Sequence, residues 1–326
     1  MIVADFGVGI IGAGSIGMVH AEAIRRTKGV TLVAATGGRS RELTGVTSCA
    51  DVSELVARDD VSIVAVCSPS GHHAEHALAA LNSGKHVVIE KPLATSVADA
   101  ERVVARAKEL GLTLAVIAQR RLEPQHQYIK SLVSSGQLGS PVLGEAFVRW
   151  YREPEYYAAA AWRREHPAGG SLMNQGLHSV DLLRWMMGDV AKVKAFGSTR
   201  LHSISAEDTM VAALTFDSGA VGVIVTSTAT RPGEPAELNL YFERGAIRLQ
   251  HTEIVRWDVP DVPRPPALAH VGSGAADPAA IGVEGHVAQW ADIVTACRTG
   301  SQPLVTGEDG LQTVQLISAI YEDSAS

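Results

Sequence analysis

Residues 6–17 read Phe-Gly-Val-Gly-Ile-Ile-Gly-Ala-Gly-Ser-Ile-Gly, an apolar run ending in Gly12-Ala13-Gly14-Ser15-Ile16-Gly17. Residues 15–26 then carry Ile16, Val19, His20, Ala23 and Ile24 at helical spacing. A G-x-G-x-x-G placed between a strand and a helix is the fingerprint of a dinucleotide site. Gly12 makes the tight turn, Gly14 lets the backbone approach a pyrophosphate, and Gly17 lets helix and strand pack closely. The helix N-terminus, with Ser15 and Ile16 in its first turn, attracts the anion. Glycine-rich turns also arise for purely structural reasons; the strand before this one and the helix after it select the dinucleotide reading.

Working outward, apolar runs recur at residues 30–35, 62–67, 86–90 and 112–118, separated by helical patterns at 73–83 and 97–110, the latter stopped by Gly111. Strands this apolar, alternating with helices, predict a parallel sheet covered on both faces, an α/β doubly wound Rossmann domain over residues 1–120. The pattern then changes. A helix is expected from Pro124 to 135, a strand over 141–150, an aromatic, arginine-rich loop over 151–170, and a helix over 171–187 stopped by Gly188. Short strands fill 190–257, with turn signals at Asp217-Ser218-Gly219, Arg231-Pro232-Gly233 and Arg244-Gly245, which argues for an antiparallel sheet. Residues 259–282 hold five of the 14 prolines and read as a loop or flap. Helices at 284–299 and 308–321 close the chain. Residues 121–326 are thus expected to form an α+β domain for substrate and oligomer contacts, with the C-terminal helix able to pack back on the first domain.

The chain has 326 residues, 46% apolar and 19% charged, with 28 basic against 35 acidic side chains. The net charge of −7 lacks the positive field of a nucleic-acid binder. Uncharged stretches fall well short of the ~20 apolar residues of a membrane span. Residues 1–5 lack a basic n-region, and Asp5 interrupts any signal-peptide pattern. Cys49, Cys67 and Cys297 are too few and too scattered for a disulfide framework or a metal cluster, so a reduced, cytoplasmic protein with no metal is expected.

An NAD site places Asp or Glu at the end of the second strand, on the ribose hydroxyls. Here that strand ends Ala35-Thr36-Gly37-Gly38-Arg39-Ser40-Arg41. Gly37 stands where the acid would be. Gly38, Arg39 and Ser40 follow, and an arginine with a serine suits a 2′-phosphate. NADP is therefore expected in preference to NAD, the alternative being that Arg39 and Arg41 are solvated surface charges. Further along, Glu90-Lys91-Pro92 closes the fourth run, at the strand end where open α/β sheets place ligands, and Ser68, Pro69 and His73 line the same edge. By itself, a strand-end lysine is more often a surface charge.

Together these pieces resemble the Gfo/Idh/MocA family of nicotinamide-dependent sugar and cyclitol oxidoreductases. The landmarks are IGAGSIG at 11–17, CSPSGHH at 67–73, GKHVVIEKP at 84–92 and GGSLMNQGLHSVDLLRWMMG at 169–188. The resemblance implies a Rossmann domain followed by a domain with a large open sheet, used for homodimer or homotetramer contacts. It gives Lys91 contact with the reacting hydroxyl and the nicotinamide ribose, with Glu90 beside it and Gln119 also at the cofactor. It makes His178 the principal acid/base group, and Trp162-Arg163 a loop that can reach the cofactor. Asn174 takes the place of the Asp that many members carry beside the histidine; it can orient but brings no charge. Asp181, three residues beyond His178, is either a substitute partner or an anchor for its helix.

Candidates for holding a polyhydroxylated substrate are Lys91, Arg120, Arg149, Tyr151, Tyr157, Asn174 and His178, since sugar sites combine aromatic faces with hydrogen-bond donors. The expected activity is hydride transfer between NADP(H) and a secondary hydroxyl or ketone of a sugar, cyclitol or derivative. Two alternatives stay open: a glycosidase acting by transient oxidation with nicotinamide, and a non-catalytic sensor of cofactor or sugar.

Overall fold

The computed structural model describes residues 5–266 and 282–325. In chain order the elements are β1 (Phe6–Ala13), α1 (Ser15–Arg26), β2 (Val30–Gly38), β3 (Thr47–Cys49), α2 (Val52–Val56), β4 (Ile63–Val66), α3 (His73–Asn82), β5 (His86–Ile89), α4 (Val97–Leu110) and β6 (Leu114–Val116). There follow α5 (Pro124–Ser134), β7 (Pro141–Arg149), α6 (Pro154–Ala158), α7 (Leu177–Met187), β8 (Val190–Ser198), β9 (Thr209–Phe216), β10 (Val221–Ser227), β11 (Glu237–Phe242), β12 (Gly245–Gln250), β13 (Glu253–Asp258), α8 (Glu284–Thr299) and α9 (Gly307–Ser324). The chain divides into two compact units. One runs to Gln119 and adds Val283–Val314; the other takes Arg120–Gly282 and Gln315–Ser326. The helix expected at 284–299 groups with the first unit, and the division falls within α9.

The first unit is a six-stranded parallel sheet in the order β3-β2-β1-β4-β5-β6. Alternate strand residues supply two cores. Val8, Ile10, Ile63 and Ala65 pack with Ile24 of α1 and Trp290 and Ile293 of α8. Ile11, Val64, Val66 and Ile89 pack with Leu55 of α2, Leu81 of α3 and Val103 of α4. Each Val, Leu or Ile among them, buried completely, stabilises the fold by roughly 1.5–3 kcal/mol. Ser96 Oγ accepts the Asp99 N–H at 3.1 Å to start α4, and Gly111 ends it at φ 65°. β3 and α2 were not anticipated; Asp51 caps α2 by accepting the Glu54 N–H at 2.9 Å.

The second unit is a seven-stranded sheet in the order β13-β12-β11-β7-β10-β9-β8. It is antiparallel except between β7 and β10, which run parallel. The Arg231-Pro232-Gly233 turn thus closes no hairpin, because β10 and β11 flank β7 from opposite sides. Gly144 of β7 leaves room for α7: a Cβ there would stand 2.8 Å from Leu183 and from Met187. Ala146, Ile224, Leu240, Leu182, Leu183, Ile317 and Ile320 fill the core on this face. The expected helix at 171–187 is divided; Ser171–Gly176 forms a wider π-type turn, and α7 starts only at Leu177. Of the proline-rich segment expected at 259–282, residues 267–281 lie outside the described residues. Among the described residues, no helix is long and apolar enough to cross a membrane.

Candidate active site

In the first unit, β1 hands over to α1 through the glycine turn. Gly12 has φ +95°, and a Cβ on it would come within 2.7 Å of the Cys67 and Ser68 backbone. On Gly17 a Cβ would stand 2.2 Å from the Gly12 carbonyl, whereas around Gly14 nothing lies within 4 Å. The first and third glycines are needed for packing, and the second opens onto space at the start of α1. That helix has no side-chain cap and no acid in its first turn, where Ser15 is exposed and Ile16 half-buried. Its first N–H groups and dipole favour a phosphate there. Gly38 packs on the same turn, since a Cβ would meet the Ala13 backbone at 2.6 Å, and the Arg39 N–H bonds the Ala13 carbonyl at 2.9 Å. Arg39 and Arg41 are exposed. Ser40 is buried and its hydroxyl lies 2.9 Å from Ser48 Oγ, which engages it inside the domain.

The ends of β4 and β5 carry the next group. His73, buried on α3, reaches the Ser68 carbonyl through Nε2 at 2.8 Å and the Pro92 carbonyl through Nδ1 at 2.6 Å. Burial pushes its pKa down, while the two carbonyls oppose that shift because each is best met by an N–H. Ser68 Oγ also lies 2.9 Å from His76 Nδ1, and Pro69 is exposed. Glu90 is buried, with His20 Nε2 3.0 Å from its Oε1. For Lys91, burial presses the ammonium pKa down and the Glu90 charge opposes it. Gln119 is buried against Gly285 at the start of α8, and its Oε1 meets no donor among the described residues. An open glycine cradle and, in the same unit, an orphaned buried acceptor fit a dinucleotide. Burial also holds the Cys67 thiol well above its ordinary pKa, which removes it as a nucleophile.

In the second unit the π-type turn and α7 present Asn174 and His178, both half-buried. The turn rests on Glu207, whose Oε1 accepts the Leu172 N–H at 2.7 Å and the hydroxyls of Ser171 and Tyr321, each at 3.2 Å. Tyr156 Oη accepts from Asn174 Nδ2 at 3.0 Å and from Gln175 Nε2 at 2.7 Å. Arg152 donates to Gln175 Oε1 at 3.0 Å, and the Arg163 guanidinium lies 4.3 Å over the Tyr156 ring. Tyr156, Gln175 and Arg152 were missed by sequence reasoning, which singled out Tyr157. That neighbouring side chain is buried, its hydroxyl 2.6 Å from Thr228 Oγ1, and burial pushes its pKa up to about 12. Successive residues of α6 point about 100° apart, so only one of the two tyrosines can face the turn.

The remaining candidates are spread out. Arg149 lies on the sheet face opposite α7, paired with Glu237 at 2.6 Å and Glu234 at 2.7 Å, and does not join the Asn174 group. Tyr151 bonds Glu153 and Arg231. Arg120 sits half-buried 3.8 Å from Glu123, and Trp162 adjoins Arg163. Asp181 accepts from Arg121 at 2.6 and 2.8 Å, both residues buried, which ties α7 to the segment before α5.

Two family models match the chain. Residues 6–118 match the oxidoreductase family with an NAD-binding Rossmann fold, and residues 126–248 match the GFO/IDH/MocA C-terminal domain. The chain belongs to the Gfo/Idh/MocA family. Among solved structures, this Gfo/Idh/MocA protein is similar to the WlbA dehydrogenase of Bordetella pertussis, crystallised with NADH and UDP-GlcNAcA. The two are 30% identical, with a TM-score of 0.88 over 99% of this chain and 97% of that one. An inositol 2-dehydrogenase of Rubrobacter xylanophilus is 31% identical over 74% of this chain and 70% of its own length. A 4-carboxy-2-hydroxymuconate-6-semialdehyde dehydrogenase of Sphingobium is 33% identical over 58% of this chain; the match spans 61% of that relative, less than two thirds.

Proposed function

We propose that the protein transfers a hydride between NADP(H) and a secondary alcohol or ketone carbon of a sugar, a cyclitol or a derivative. The observation that carries this reading is the Glu90–Lys91 pair at the end of β5, in the unit that also holds the glycine cradle. NADP(H), when bound, supplies the hydride acceptor or donor at its nicotinamide ring. Gly12, Gly14 and Gly17 admit the pyrophosphate to the start of α1, and Gln119 Oε1 is available to an N–H of the cofactor. Lys91 and His178 handle the hydroxyl proton, taking it up in oxidation and returning it in reduction. Burial lowers the Lys91 ammonium pKa, the direction that favours a base there. Asn174, fixed by Tyr156, orients the substrate and the histidine. The names of the inositol dehydrogenase and of WlbA with its nucleotide sugar support the substrate class.

The cofactor preference rests on the absence of an acid at the end of β2 and on the exposed Arg39 nearby; the WlbA crystal holds NADH. The sheet face opposite α7 exposes Phe196 at 80%, in line with Val211, Val225 and Phe147, and Val221 at 52%, four residues along β10 from Val225. That apolar face suits a homodimer or homotetramer. The three cysteines are free, as a reducing cytoplasm would keep them.

Reduced-nicotinamide absorbance tests the reading, with NADP⁺ and NAD⁺ in parallel across monosaccharides, inositols, sugar acids and glycosides. Lys91→Ala and His178→Ala are each expected to lower turnover by about 10²–10⁴-fold while cofactor affinity changes far less. Near-native turnover in both variants on a true substrate would overturn the proton assignment.

A further inference from the structure

Beneath the strand-end lysine, the buried face of α1 places a histidine with no freedom of protonation. His20 is completely buried, its Nε2 3.0 Å from Glu90 Oε1. Its other nitrogen, Nδ1, receives the indole N–H of Trp290 from α8 at 3.0 Å. An indole nitrogen only donates, so Nδ1 must present its lone pair, and the neutral ring carries its proton on Nε2. That Nε2–H donates to Glu90, whose Oε2 accepts the backbone N–H of Lys91 at 3.0 Å. A second proton on His20 would set an N–H on Nδ1 against the Trp290 N–H, two donors facing each other in a dry interior.

We propose that Trp290 and His20 are positioning residues that hold Glu90 as a permanent carboxylate beside Lys91 by locking His20 in a single neutral tautomer. The proposal rests on the reading of Lys91 as a proton-handling group. Its consequence is that Lys91 works against a constant negative charge, so the pair exchanges one proton with the substrate and not two. The other titratable groups around Glu90 do not replace this link. His286 of α8 packs edge-on against His20 at 5.2 Å, and its Nε2 is 3.6 Å from Glu90 Oε1, too long for a hydrogen bond. Cys67 at the end of β4 and His73 on α3 act on Glu90 or are acted on by it only through charge. Burial pushes the His20 pKa down despite Glu90, in keeping with a ring that stays neutral. The same tautomer disfavours a metal ion among His20, Glu90 and His286, whose ligand atoms lie within 4.8 Å of one another. Ligation through Nε2 would strip its proton while Nδ1 still accepted from Trp290, leaving an imidazolate.

The test uses the full-length enzyme and Trp290→Phe, which keeps an aromatic ring and removes the N–H. Imidazole ¹⁵N NMR of wild type is expected to show His20 as the Nε2–H tautomer throughout about pH 5 to 9. In Trp290→Phe, His20 gains a titration, and kcat/KM for oxidation gains a further acid-side ionisation that steepens its acid limb relative to wild type. Adding His20→Gln, whose longer amide reaches the position of Nε2 and can donate to Glu90 but cannot gain a proton, restores the wild-type acid limb. A wild-type His20 that titrates or carries its proton on Nδ1 overturns the proposal. So does a Trp290→Phe enzyme with an unchanged pH profile. If Lys91→Ala keeps its turnover while the NMR results appear as stated, the role of Lys91 falls and the lock on Glu90 stands, so the two failures are distinguishable.

Discussion

Glu90 Oε2 accepts a hydrogen bond from the backbone N–H of Lys91, its own neighbour, at 3.0 Å. Burial alone would push the Glu90 carboxyl up, but His20 and His286 more than offset it and hold the group well below the usual carboxylate range. The charge so maintained opposes the loss of the Lys91 proton. Glu90→Gln keeps the shape and removes the charge, so the Lys91 pKa falls further. The acid limb of the oxidation profile should then move to lower pH by about one unit or more, and reduction near neutral pH should weaken because fewer lysines carry a proton. Paired pH profiles in the two directions check this, and superimposable curves for variant and wild type would count against it. Stability follows the same carboxylate. Its folded pKa lies below its unfolded value of about 4.3, so its contribution is present above that pH and is lost as pH falls through the folded value. Acid melts of Glu90→Gln should lack that loss.

Tyr156 and Tyr157 give a contrast within one turn of helix. Tyr156 Oη holds the amides of Asn174 and Gln175, whereas the Tyr157 hydroxyl bonds Thr228 inside the fold. Tyr156→Phe is expected to lower kcat/KM by about tenfold or more, since misplaced orienting groups act strongly on rate, with little change in melting temperature. Tyr157→Phe should cost about 1 kcal/mol of stability and leave kcat/KM near native. Kinetics and thermal melts on both variants decide the point, and a reversed pattern would assign the roles the other way.

How much of this was legible in the sequence depended on the length scale of the signal. α1 and α4 begin and end where periodicity and caps placed them, at Ser15–Arg26 and Val97–Leu110. β3 and α2, three and five residues long, are shorter than any window in which a period can be read; Asp51 as a cap was the available clue. The parity of Arg149 was hidden because β7 is apolar on both faces, with Leu143 and Phe147 on one and Ala146 and Val148 on the other. The glycine turn was legible because its chemistry is local. The His20–Trp290 contact spans 270 positions, and no local pattern announces it.

Arg121 and Asp181 form a buried pair joined at 2.6 and 2.8 Å. Removing one partner of such a pair leaves an uncompensated charge and costs about 3–5 kcal/mol, whereas replacing both with apolar groups of similar volume recovers much of it. Asp181→Asn and Arg121→Met are therefore expected to lower the melting temperature strongly, and the double variant Arg121→Met/Asp181→Leu less than their sum. Turnover per folded molecule should stay within a few-fold of native if the work of Asp181 is its pair with Arg121. A steep fall in kcat for folded Asp181→Asn, with stability intact, would give it the catalytic partnership instead.

Gly37 stands at the end of β2 with φ +71°, exposed, and a Cβ there would meet only Gly12 Cα at 4.0 Å. Space is therefore available, and among non-glycine residues Asp is one of those that best tolerate this backbone region. Gly37→Asp places a carboxylate where ribose hydroxyls are held in NAD sites, and where it would repel a 2′-phosphate. The expected outcome is a fall of about tenfold or more in kcat/KM with NADP⁺ and a smaller change or a gain with NAD⁺. Arg39→Ala should lose about 1.5–3 kcal/mol of binding to NADP⁺, the worth of hydrogen bonds to a charged group, and leave NAD⁺ nearly unaffected. The ratio of the two kcat/KM values, measured for wild type and both variants on one substrate, is the readout. If Arg39→Ala weakens both cofactors equally, the arginine is a solvated charge and does not read the phosphate.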